Sequence, residues 1–141
     1  MIRELKFGDL TPKQARIVSA MYFRCIVETK EIMHRIPNNV IFLIYFKKKK
    51  PIAFSDYRLC RCLIRGYEYL RKEFTFVDKR YRNCGIAKTL MKYVAEKYSN
   101  YEIETIARDY LCNTLENLGF KHIKSRRCMN GYKVYNKSPK K

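Results

Sequence analysis

FTFVDKRYRNCGIAKTLM, residues 74–91, is the stretch on which the reading of this chain turns. An apolar strand at 74–77 runs into a basic turn, then Arg82-x-x-Gly85-x-Ala87, then an amphipathic helix. That order of parts builds an anion cradle. A strand delivers the backbone, a glycine lets it bend close to a ligand, and the free N–H groups of a helix start point at negative charge. Lys79, Arg80, Arg82 and Lys88 add positive charge around the same point. The same pattern also describes an ordinary strand–loop–helix connection, because short glycine motifs recur by chance.

Working outward, residues 67–77 predict the long strand that feeds this loop, after a turn at Gly66. Downstream, Ala87, Leu90, Met91, Val94, Ala95 and Tyr98 recur at helical spacing, with Lys88, Lys92 and Glu96 on the opposite face. Residues 101–107 predict a strand, and 109–118 a helix ended by Gly119. Residues 121–127 and 131–135 predict a last strand pair around Met129-Asn130-Gly131. Toward the start, VIFLIYF at 40–46 is an apolar strand. Lys47, Lys48, Lys49, Lys50 and Pro51 turn the chain, and residues 52–59 return antiparallel. The four lysines suit a solvated turn or a phosphate contact. Residues 2–7 predict a first strand. Thr11-Pro12 opens a helix to about Cys25, with Ile17, Ala20, Met21 and Arg24 at helical spacing and Val18 beside them. Residues 27–35 predict a second short helix, broken before Pro37-Asn38-Asn39. The organisation expected is a single domain over 1–136 and a loose basic tail at 137–141.

A chain of 141 residues with 47% hydrophobic content has enough material for one sizeable core and is too apolar for a disordered protein. It has no apolar run long enough for a membrane span, and MIRELKFGDL lacks the apolar centre of a signal peptide, so a cytoplasmic protein is expected. The six cysteines are dispersed, and Cys60-x-Cys62, His34 and His122 do not make a metal-ligand spacing; reduced thiols and no metal are expected. The formal charge is +18. Residues 1–70 carry 14 basic and 6 acidic side chains and the remainder 17 and 7, so the domain itself is basic. Such a field attracts polyanions, although a lysine-rich host composition gives the same balance.

At Val77, the turn of residues 78–81, Arg82, Gly85 and Ala87, the chain resembles motif A of the GNAT superfamily of acyl-CoA N-acyltransferases. The ending Asn113…Leu118-Gly119-Phe120 is similar to the close of that family's final helix, and the order of predicted elements agrees. The resemblance implies an α/β (α+β) GNAT fold: a central mixed, mostly antiparallel twisted sheet flanked by helices. It also implies acetyl-CoA as cofactor. Thr75, Phe76 and Val77 would then face pantetheine, and Arg82, Asn83, Cys84, Gly85, Ile86, Ala87 and Lys88 would wrap the pyrophosphate. Asp109 stands near the position of an asparagine that assists CoA binding in the family, and Asn113 joins it. Glu104 and Glu73 are the candidate bases. Leu115 falls where the family often keeps a proton-donating tyrosine, which leaves Tyr110, or Cys112, as the candidate acid.

The implied activity is acetyl transfer to an amine. With the chain's charge, the acceptor is expected on an acidic macromolecule, such as tRNA or another nucleic acid, in a monomer or homodimer. Two further classes remain open. Tyr57-Arg58, Arg80-Tyr81-Arg82 and Tyr132-Lys133 interleave aromatic and basic residues, which suits a GNAT-fold nucleic-acid-binding or inhibitory protein, or a nucleobase-modifying enzyme.

Overall fold

The computed structural model describes residues 1–29, 40–107, 109–127 and 133–140, with backbone alone for 26–29, 73, 109, 110 and 125–127. The strands are β1 (Ile2–Lys6), β2 (Ile41–Lys47), β3 (Lys50–Arg61), β4 (Glu68–Val77), β5 (Glu102–Ala107), β6 (Lys121–Arg127) and β7 (Lys133–Lys137). The helices are α1 (Pro12–Thr29), α2 (Ile86–Lys97) and α3 (Asp109–Asn117). Among the described residues the strands form one seven-stranded sheet in the order β1-β2-β3-β4-β5-β7-β6. Every neighbouring pair is antiparallel except β4 and β5, which run parallel. The expected α+β architecture of a mixed, mostly antiparallel sheet with flanking helices is therefore the one adopted. A parallel pair needs a crossover, and α2 supplies it.

Strand alternation divides the core into two layers. Leu43, Ile52, Tyr57, Leu70 and Ile103 pack with Leu90, Met91 and Val94 of α2 and Leu115 of α3. Phe42, Phe54, Phe74 and Phe76 face the other way, against Val18, Met21, Tyr22 and Cys25 of α1. Burying each large apolar side chain contributes about 1.5–3 kcal/mol, which holds the helices on the two faces.

Local signals explain most boundaries. Thr11 Oγ1 accepts from the Gln14 amide at 3.2 Å while Gln14 Oε1 accepts from the Thr11 amide at 3.1 Å, a reciprocal cap ahead of Pro12. At the end of α3, Gly119 has φ +94, its amide donates to Glu116 O, and the Phe120 amide donates to Leu115 O. That paired closure needs a left-handed residue, and glycine adopts it without a Cβ penalty.

The structure corrects several expectations. Helix α1 does not end near Cys25 but continues to Thr29, so 27–29 belong to it; the rest of the proposed second helix, 30–35, lies outside the described residues. Its buried stripe is Val18, Met21, Tyr22 and Cys25, one residue on from the expected Ile17, Ala20, Met21 and Arg24. Arg24 is exposed and lies over the Phe76 ring at 5.6 Å. The four-lysine turn is tighter than expected: Lys47 and Lys50 still pair, leaving Lys48 and Lys49 at the tip. The turn at Met129-Asn130-Gly131 lies outside the described residues. The tail is not loose from 137. Lys137 is the last residue of β7, opposite Ile103, and the Lys140 amide donates to Ser99 O at 2.7 Å. Backbone hydrogen bonds hold both residues whatever their charge.

Candidate functional site

The parallel pairing of β4 with β5 is short. It runs from Tyr69↔Glu102 to Lys72↔Thr105 and stops. Beyond it, β4 continues to Val77 paired with β3 alone, while β5 continues to Ala107 paired with β7. The sheet thus opens into a wedge, and the β5-facing backbone edge of β4 from residue 73 to Val77 lacks a strand partner among the described residues. An edge of that kind is a template for an extended ligand.

A bulge sits where the wedge begins. Ser55 opposes Thr75 and Tyr57 opposes Lys72, so residue 73 and Phe74 together face Asp56. The Phe74 amide donates to Asp56 Oδ1 at 2.7 Å. After the bulge, Thr75 and Val77 turn to the α2 side with Ser55 and Ala53, and Phe76 turns to the α1 side, where it stacks on Phe54. Thr75 and Val77 therefore present side chains on the α2 face, whereas Phe76 offers the open edge its backbone only.

At the wide end of the wedge stands the glycine loop. The Asp78 amide donates to Ile52 O, and its carboxylate accepts from the Arg80 amide at 3.1 Å and Arg80 Nε at 3.4 Å. Burial pushes the Asp78 carboxyl up, but those bonds and the Arg80 charge outweigh it and hold it below the usual carboxylate range. Arg82 Nε donates to Val77 O at 2.8 Å, and its guanidinium lies 5.1 Å from the Phe76 ring centre. Asn83 and Gly85 both have positive φ, +63 and +79. A Cβ on Gly85 would meet nothing within 4 Å, so the backbone conformation selects glycine here and leaves open space in front of it.

Helix α2 then starts without compensation. Gly85 is its N-cap, no side chain caps it, and its first turn has no acidic residue. The first internal bond is from the Thr89 amide to Gly85 O. The N–H groups of Ile86, Ala87 and Lys88 are left to whatever lies in front, at the positive end of the helix dipole. Ile86 is buried and anchors the helix, Ala87 is half-buried, and Arg82, Asn83, Cys84 and Lys88 are exposed around the opening.

The narrow end is different. Apart from Asp78, the buried polar side chains Ser55, Asp56, Lys72, Glu104 and Thr105 all lie on β3, β4 or β5 at the bulge or within one rung of the last β4–β5 pair. Glu104 is buried, opposite Arg71 and Asn136. Lys72 is only 3% exposed. Burial pulls its ammonium down from 10.5 to about 8, against the opposing pull of Asp56 and Cys25. Lys72, Ser55, Asp56 and Thr105 were not singled out from the sequence. The signal was present as three successive charges, Arg71, Lys72 and Glu73, between apolar Tyr69-Leu70 and Phe74, but periodicity does not say which of them is buried.

Other expected residues fall differently. The side chains of Glu73, Asp109 and Tyr110 lie outside the description, although Asp109 and Tyr110 open α3. Asn113 is exposed on α3, and Cys112 is buried under it. Leu115 is 1% exposed in the apolar core, so this position of α3 carries no proton to give. Among the described residues no three His, Cys, Asp or Glu side chains gather into a metal site, and no helix is long and apolar enough to cross a membrane.

The model of the acetyltransferase (GNAT) domain family matches residues 9–136. The chain belongs to that family. Solved structures share the fold at low sequence identity. Escherichia coli ElaA superposes with a TM-score of 0.75 at 13% identity, covering 98% of this chain and 99% of that one. An acyl-CoA N-acyltransferase from Pseudomonas aeruginosa gives 0.73 at 12% identity, with the same coverages. The NatC complex bound to Gag peptide and CoA gives 0.63 at 15%, covering 96% and 95%. No curated protein matches this sequence. GNAT domains use acyl-CoA, and the wedge, the open glycine loop and the uncapped helix start have the chemistry that a CoA arm and its pyrophosphate require.

Proposed function

We propose that this protein is a CoA-dependent N-acetyltransferase whose acceptor amine is carried on an acidic macromolecule. The observation that carries it is the uncapped start of α2 placed directly after the open edge of β4. The amides of residues 83–88 would hold the pyrophosphate, with Arg82 and Lys88 supplying charge. The backbone of Thr75–Val77 would bind the pantetheine arm as an added strand. Bound acetyl-CoA supplies the activated thioester carbonyl. Glu104, buried beside the apex, is the base we assign to the attacking amine; Glu73 and Tyr110 are the alternatives for proton transfer on the neighbouring strand and helix.

The acceptor class rests on charge. A net +18 enzyme attracts acidic partners and repels polyamines and other cations at long range. The pyrophosphate would neutralise only a few of those charges, which leaves a nucleic acid such as tRNA as the favoured carrier, in the cytoplasm.

Two measurements test this. Acetyl-CoA should raise the melting temperature, and the absence of any rise at millimolar acetyl-CoA would overturn the enzyme assignment. Labelled acetyl-CoA with total tRNA should transfer label to RNA, and tRNA binding should weaken steeply with salt. Binding that is flat with salt would remove the nucleic-acid acceptor while leaving the cofactor site intact.

A further inference from the structure

The narrow end of the wedge holds a directed chain of hydrogen bonds with a lysine at its head. Lys72 Nζ donates to Thr75 Oγ1. Ser55 Oγ donates to Phe74 O at 3.3 Å, and Thr75 Oγ1 lies 3.2 Å from Ser55 Oγ. Ser55's one proton is used on Phe74 O, and the Thr75 hydroxyl accepts from lysine, so Thr75 donates to Ser55. The order Lys72, Thr75, Ser55, Phe74 O is therefore fixed. An ammonium has three N–H groups. One is on Thr75, in a side chain that is 3% exposed, and the Asp56 carboxylate and the Cys25 thiol are its charge-bearing neighbours.

A buried ammonium is costly even with a hydroxyl and a carboxylate near it, and a strand packed in a core has no structural need of one. Its position supplies a use. Lys72 forms the last rung with β5, at the closed end of the open edge. Five residues separate it from Val77, roughly 16 Å along an extended strand. A pantetheine arm that starts at the glycine loop and runs back along this edge brings its sulfur toward that closed end.

We propose that Lys72 is the proton donor to the CoA sulfur as the acyl group leaves it. This rests on the CoA assignment above. As the acceptor nitrogen bonds to the acyl carbon, the carbon–sulfur bond breaks. An Nζ–H bond of Lys72 breaks in turn, and its proton completes the thiol. The acceptor's own proton goes to the base, and Lys72 regains its proton from solvent once the thiol has left. No oxidant or reductant is involved. Lys72 is suited to this because burial brings its ammonium down to about 8, so it gives up a proton to a thiolate far more readily than an ordinary lysine does. The groups that face it are Asp56 from β3 and Cys25 from α1, and both favour the ammonium that must be present at the start.

Bound CoA itself reports the pair without an acceptor. With the wild-type protein, the ultraviolet thiolate band of bound CoA should titrate about one pH unit below that of free CoA, because an ammonium stabilises the thiolate. In Lys72→Met the band should titrate at or above the value of free CoA, while CoA still raises the melting temperature. Should Lys72→Met fail to fold, comparing bound with free CoA on the unaltered protein decides the same point. If CoA stabilises the protein but its thiol titrates as it does in free solution, the role of Lys72 is overturned and the cradle stands. If CoA stabilises neither protein, the cofactor assignment falls and this one with it. Mass spectrometry after incubation with acetyl-CoA adds a separate check. An acetyl group found on Lys72 would make it an acceptor and overturn its assignment as donor.

Discussion

The two ends of the open stretch of β4 are built on opposite terms. At the Val77 end, the chain exposes its polar groups: Arg82, Asn83, Cys84 and Lys88 are at the surface, and the amides opening α2 have no cap. At the Lys72 end, five polar side chains are buried among strands, and three of them, Ser55, Asp56 and Lys72, are bonded to the residues of the bulge or just after it. The first presents backbone dipoles that favour an anion. The second is a desolvated site in which any charge is expensive and every proton position matters. Recognition of a phosphate needs the former, and a bond-breaking step that creates a thiolate needs the latter.

The sharpest way to break the contrast is at Gly85. With φ +79, an L side chain there is strained by about 1–2 kcal/mol, and an arginine would also fill the space left in front of the helix start. Gly85→Arg should abolish the stabilisation by CoA, which for a ligand at about 100 times its Kd is roughly 2.7 kcal/mol. Isothermal titration with CoA and a melting curve separate the two effects. A variant that still binds CoA at the wild-type affinity would show that the loop is only a connection.

At the other end, removing the charge should do the reverse and stabilise the protein. The folded-state pKa of Lys72, about 8, lies below its value of 10.5 in the unfolded chain. Between those values the unfolded state holds the extra proton, so stability rises with pH across that window; below about 8 both states are protonated and the burial penalty is present in full. The shift corresponds to about 3 kcal/mol, and loss of the Thr75 bond offsets about 1 kcal/mol of it. Lys72→Met should therefore be more stable than wild type by about 2 kcal/mol at pH 7, with the gain shrinking toward pH 10. Urea unfolding at both pH values checks this, and a destabilised variant at pH 7 would mean that the ammonium is held by more than the wedge shows.

The contrast also divides what was legible in the sequence from what was not. The glycine loop announces itself because its requirements are local: a left-handed residue at Gly85, small Ala87, a helix period that starts one residue after the glycine, and cations on either side. The Leu118-Gly119-Phe120 ending is readable for the same reason, since the Gly119 and Phe120 amides close α3 with bonds to Glu116 O and Leu115 O only a few residues back. The apex depends on partners far apart in the chain. Lys72 meets its neighbours through the register of β3 and β5, set by pairings such as Tyr57↔Lys72 and Lys72↔Thr105. A bulge that puts two residues opposite Asp56 leaves no mark in hydrophobic alternation. The misplaced stripe on α1 has a related cause. Ile17 and Ala20 are as apolar as the residues beside them, and only the phenylalanine face of the sheet decides that Val18, Tyr22 and Cys25 turn inward.

Arg82 ties the end of β4 to the glycine loop, and its loss should cost both stability and affinity. Its Nε bond to Val77 O holds the end of β4 to the loop, and its ring contact with Phe76 adds a cation–π term. Arg82→Ala should lose about 1–2 kcal/mol in urea unfolding and weaken CoA binding together. Arg82→Lys should not restore stability, because a lysine cannot reproduce the guanidinium's planar contact with the ring. Loss of affinity with unchanged stability would place Arg82 on the ligand side alone.

Lys88 gives the smallest effect and the cleanest opposition of function to fold. It lies in the first turn of α2, where a positive charge repels the helix dipole and no acidic residue relieves it. The residue is exposed, so it contributes no packing that its loss would disturb. Lys88→Gln should raise stability by about 0.3–1 kcal/mol at low salt, the ordinary size of a first-turn charge effect. It should weaken CoA binding by a few-fold over the same conditions, and both changes should fade as salt screens the charge. Paired melting and titration experiments at low and high salt test the sign of each. If the variant were less stable and bound CoA as well as wild type, the start of α2 would owe its charge to the fold rather than to an anion in front of it.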